Sequence, residues 1–137
     1  MEKIFIVFIF AAFAVFGESA TFRDQNGRLA GNSTTSGKRT TYRDGQGRLA
    51  ATATTFGNKT TYRDANGRMI GTSTTALSGR TVYRDANGRL VGTTTEFGGR
   101  TTYRDSNGRI AGSSTTFKGK TTYRDKNGKF KGTKRGK

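Results

Sequence analysis

The chain has 137 residues, with 25 Lys and Arg against 9 Asp and Glu, and a formal charge of +16. It contains no His and no Cys, which removes the usual general base, the thiol nucleophile and most transition-metal ligands and leaves no disulfide to brace a fold. These absences point away from an enzyme, and the charge points toward polyanions, whose association a positive field accelerates.

At the N-terminus, Met1, Glu2 and Lys3 precede thirteen apolar residues, Ile4 to Phe16, and then Gly17, Glu18, Ser19 and Ala20. A short apolar run followed by small residues predicts a helical secretory signal peptide over 1–20. The run is too short to cross a bilayer core of about 30 Å, which takes about 20 helical residues. An uncleaved anchor is the alternative. No cysteine follows to accept a lipid. The expected location is secreted, periplasmic or at the cell surface. Removing residues 1–20 takes away Glu2, Lys3 and Glu18, leaving 24 basic and 7 acidic residues, a charge of +17.

The rest of the chain is periodic. An aromatic–Arg–Asp triplet starts at Phe22, Tyr42, Tyr62, Tyr83, Tyr103 and Tyr123, at spacings of 20, 20, 21, 20 and 20. The extra residue lies in Ala76–Arg80, where other copies have four residues such as Phe97-Gly98-Gly99-Arg100. Insertions are accommodated at surface turns, so this locates a loop. Six copies follow, at about 21–39, 40–59, 60–80, 81–100, 101–120 and 121–133, with 134–137 as a basic tail. Few aliphatic residues and high charge are also marks of disorder, but the regular period opposes that reading.

Within a copy, Thr101-Thr102-Tyr103-Arg104 favours a strand, and Asp105-Ser106-Asn107-Gly108 is a hairpin turn signal. A second extended run, Arg109 to Thr116, ends in the turn Phe117-Lys118-Gly119-Lys120. Copy two has Gln46-Gly47 in place of Asn-Gly and is expected to carry the weakest first turn. Two registers are open. A two-residue loop sets Tyr103 across from Gly112, whereas a three-residue loop with a bulge at Gly108 sets Asp105 against Arg109 as a cross-strand ion pair. The expected fold is all-β: tandem β-hairpins in an antiparallel meander or repeat sheet, stabilised by stacking of neighbours.

The segment Gly-Arg-Thr-Thr-Tyr-Arg-Asp-Ser-Asn-Gly-Arg-Ile, residues 99–110, resembles the YD repeat of bacterial Rhs-type secreted and surface proteins. It is also similar to small exported bacterial and phage proteins with Tyr-Arg-Asp-x-Asn-Gly-Arg tandems. The likeness covers 21–133. The Arg between Tyr and Asp and the strong basicity depart from the YD pattern. The resemblance implies β-hairpin architecture outside the cytoplasm and carries over no catalytic residue.

Basic residues recur at two positions per copy: Arg23 and Arg28, Arg43 and Arg48, Arg63 and Arg68, Arg84 and Arg89, Arg104 and Arg109, Arg124 and Lys129. Fixed periodicity turns them into rows of positive charge, and arginine's planar fork suits phosphate and carboxylate groups. Tyr62 and Arg63 are adjacent and face opposite sides of a strand, so a base-stacking platform interleaved with arginine is not expected. The Asp-x-Asn-Gly segments lack the further carboxylates of a calcium loop, and a basic residue follows each. The expected function is non-enzymatic binding of anionic polysaccharide, lipopolysaccharide or nucleic acid, with no cofactor, no metal and no small-molecule substrate. The alternatives are a self-associating structural repeat protein and, further off, ice binding through the Thr-x-Thr ranks such as Thr72-Ser73-Thr74.

Overall fold

The computed structural model describes residues 19–136, so the signal-peptide reading of 1–20 falls almost entirely outside the described residues. Twelve strands follow in order: β1 Ser19–Asp24, β2 Leu29–Ser36, β3 Arg39–Asp44, β4 Leu49–Phe56, β5 Lys59–Asp64, β6 Met69–Thr75, β7 Arg80–Asp85, β8 Leu90–Phe97, β9 Arg100–Asp105, β10 Ile110–Phe117, β11 Lys120–Asp125 and β12 Phe130–Gly136. Each copy supplies two strands. All neighbours pair antiparallel, and β1 also pairs with β12, so the meander closes into a barrel. The expected meander is there; its closure was not fixed by the sequence reading. Lys134, Arg135 and Gly136, set apart above as a basic tail, belong to the closing strand, where Arg135 pairs with Thr21.

The structure combines the three-residue loop of one register with the Tyr103–Gly112 pairing of the other. Among the described residues the ion pair forms between Arg48 and Asp44, at 2.9 Å. Gly108 has φ 80° and the loop holds three residues, with the Asp105 N–H donating to the Arg109 carbonyl at 2.9 Å. A second irregularity at Ala111 then restores the pairing of Tyr103 with Gly112. The same double bulge recurs in every copy. Bulges of this kind strengthen twist and curvature, and six of them at equal intervals bend the sheet until its edges meet.

Phe22 aligns with Gly31 and Gly31 with Asp44, so the register advances two residues from one copy to the next. Strand tilt absorbs that advance on closure, and equivalent residues of the six copies therefore lie at one height. Twelve strands about 4.8 Å apart, tilted roughly 35–45°, make a barrel roughly 22–26 Å across.

The interior is filled from this symmetry. Phe22, Tyr42, Tyr62, Tyr83, Tyr103 and Tyr123 are all buried and point inward at one level. Across the strand from each stands a glycine, or Ala51 in copy two. At Gly112 a Cβ would lie 2.6 Å from the Arg124 carbonyl oxygen, so the bare backbone lets the neighbouring strand approach. Two of the tyrosine hydroxyls meet serines: Tyr62 bonds Ser73 at 2.9 Å and Tyr103 bonds Ser114 at 3.0 Å. One step further, threonines pair across strands, Thr35 with Thr40 and Thr55 with Thr60, both at 2.9 Å. The core is thus a disc of aromatic rings over a layer of hydroxyls. Large aromatics and matched hydroxyls make up for the scarcity of aliphatic residues.

Gly67 tests the turn chemistry in isolation. Its φ is +81° and nothing lies within 4 Å of where a Cβ would stand, so Gly67→Ala adds left-handed backbone strain and no clash. The expected loss is about 1–2 kcal/mol, read as a lower denaturant midpoint with an unchanged m-value.

Candidate polyanion-binding rim

All six Asp-x-Asn-Gly-type turns lie at one end of the barrel, because every odd-numbered strand runs toward it. The two basic positions of each copy flank that turn. The twelve residues singled out from the sequence therefore encircle one mouth at a common height, all of them exposed. A ring replaces the linear rows expected above.

The two sets do different things. The arginines of the Tyr-Arg-Asp triplets point to the outer face, and each donates from Nη1 to the carbonyl of the turn glycine four residues on. The distances are 2.9 Å for Arg23, 3.1 Å for Arg43, and 3.0 Å for Arg63, Arg84, Arg104 and Arg124. These bonds hold each guanidinium over its turn. With five N–H donors in the fork, most of each group still faces solvent. The second set follows the turn glycine: Arg28, Arg48, Arg68, Arg89, Arg109 and Lys129. Their backbone N–H groups donate to the turn aspartate at 2.9 Å, and their side chains project from the rim.

Each aspartate is committed to its turn. Asp105 Oδ1 accepts from the N–H of Asn107 and of Arg109, both at 2.9 Å. The hydrogen bonds are those of the turn reading, with one carboxylate oxygen meeting two amide donors. Copy two keeps the same geometry despite Gln46: Gly47 has φ 82°, and the Arg48 guanidinium bonds both Asp44 Oδ2 at 2.9 Å and Gln46 Oε1 at 2.8 Å. The Asp44 carboxyl is held below its ordinary value, foremost by the Arg48 backbone N–H. The weak first turn expected there is not apparent in its hydrogen bonds. Arg48 is the rim residue most occupied by its own turn.

Two features of this end escaped the sequence reading. A second ring of Leu29, Leu49, Met69, Leu90, Ile110 and Phe130 lies on the outer face, 37–51% exposed, each paired across the strand with a triplet arginine. The alternation of basic and apolar residues after each turn glycine was its signal. Inside the mouth, a cavity of about 340 Å³ opens beside the β1–β12 seam. Phe22 and Tyr123 line its depth, and Ala30, Ala50 and Lys131 line its walls. These last three occupy the bulge position that Ile70 and Val91 fill on the other side of the barrel, where they pack on the tyrosines. Alanine at two of these three positions leaves the cavity open, and Lys131 sets a cation in its wall.

No protein-family model matches the chain, and a comparison with curated proteins gives no match.

Proposed function

We propose that this protein is a non-enzymatic binding module acting outside the cytoplasm, which engages anionic polymers through the basic rim. Lipopolysaccharide, acidic wall polymer or nucleic acid supplies the phosphate or carboxylate groups the rim suits. One observation carries the reading: twelve basic positions, two per copy, converge on a single mouth and keep most of their donors toward solvent. An extended polymer lies along one chord of a ring roughly 22–26 Å across. About three or four phosphates are then neutralised together, and affinity for duplex DNA is expected to fall roughly 40- to 150-fold between 50 and 200 mM salt. Affinity unchanged over that range would remove the proposal.

The self-assembling alternative draws less support. Closure pairs β1 with β12, and a closed barrel offers no sheet edge for a second chain to extend. The Thr-x-Thr ranks wrap around a curved outer surface, where an ice plane needs a flat one.

A further inference from the structure

We infer that the end of the barrel opposite the arginine rim docks on the surface of an anionic phospholipid bilayer. The turns there carry apolar tips in four of the five hairpins. Phe56 is 65% exposed, Leu77 fully exposed, Phe97 88% and Phe117 71%. These are the most exposed large apolar side chains among the described residues, well above the ring at the other end. Because equivalent positions share one height, one plane touches the three phenylalanine tips, and Leu77 stands in the longer turn between Phe56 and Phe97.

Each aromatic tip has a cation beside it. Phe56 pairs across its hairpin with Lys59, Phe97 with Arg100 and Phe117 with Lys120. The Lys38 ammonium also lies 4.6 Å from the centre of the Phe56 ring, and that of Lys118 lies 5.4 Å from Phe117. Aromatic groups that insert among headgroups, flanked by lysine and arginine that meet lipid phosphates, are the chemistry of interfacial attachment. Net positive charge suits an anionic leaflet and disfavours a zwitterionic one. The contact is superficial. Strands of six to eight residues fall short of the roughly 9–11 that cross a bilayer, and the outer faces carry threonine and arginine such as Thr61 and Arg63. In this orientation the arginine rim faces away from the membrane.

Vesicle sedimentation of the full chain tests this with phosphatidylglycerol–phosphatidylcholine vesicles against phosphatidylcholine alone. Binding is expected only to the anionic vesicles, and the F56S/L77S/F97S/F117S variant is expected to bind them about 100-fold more weakly. The tips are solvent-exposed, so that variant should keep its β-sheet circular dichroism. Since the chain has no cysteine, S36C at the docking end and S106C at the arginine rim each accept one polarity-sensitive fluorophore. A blue shift with vesicles is expected at position 36 and not at 106. Undiminished binding by the four-tip variant would assign attachment to the N-terminal run, and a response at 106 alone would assign it to the arginine rim. Either result overturns the inference, and neither bears on polymer binding by the rim.

Discussion

Raising the pH from 9 to 12 is expected to unfold the barrel in one cooperative step between about pH 11 and 12, with tyrosinate absorbance appearing only as the β-sheet signal is lost. Five tyrosines share the buried disc, and burial pushes every one of their hydroxyls above the ordinary value of 10. Tyr103 is pushed up to about 12, and Tyr42, Tyr62, Tyr83 and Tyr123 are also raised, chiefly by desolvation. Neighbouring rings add to this for most of them, since one phenolate would stand close to another; Tyr83 is felt by Tyr42, Tyr62 and Tyr103.

The sign follows from which state holds the protons. Above pH 10 the unfolded chain releases its phenolic protons while the folded barrel keeps them, so stability falls with pH. The full contribution is present below 10 and is lost progressively as pH climbs toward the folded values. Five groups each lose about 1.4 kcal/mol per pH unit, together about 7 kcal/mol at pH 11. A small domain has about 5–15 kcal/mol to lose, which sets the midpoint. Replacing all five tyrosines with phenylalanine, the residue copy one already has at Phe22, should shift the transition upward by at least about one pH unit. Tyrosines that titrate near pH 10 without unfolding would mean that the disc is open to water.

The repeat made much of this legible beforehand. Asn-Gly and its flanking β-branched residues defined the hairpins, and the 21-residue interval placed the loop at Ala76–Arg80. The twelve basic positions were visible as a period. What the sequence could not decide was how two bulges per copy combine. Gly108 announced one bulge; the other, at Ala111, leaves no composition signal, since alanine fits a plain strand as well. Yet that second bulge puts Tyr103 opposite Gly112 and supplies the curvature that closes the sheet. Closure in turn converts rows into a ring and recruits Lys134 to Gly136 as a seam strand. The tips at Phe56, Phe97 and Phe117 read locally as turn flanks, and only the shared height of the copies makes them a surface.

On the proposed reading the rim acts through position and not bulk charge, and a charge-matched pair of variants separates the two. In one, Arg28, Arg68, Arg89, Arg109 and Lys129 become glutamine; the backbone bonds to the turn aspartates remain, as do the triplet arginines that cap the turn carbonyls. In the other, Lys38, Lys59, Arg80, Arg100 and Lys120 at the far end become glutamine. Each loses five positive charges. Duplex DNA and an acidic polysaccharide, titrated at fixed salt, are expected to bind the first variant about 30-fold more weakly and the second less than about 5-fold more weakly. Equal losses from both would mean that overall charge governs binding and that the ring has no special part in it.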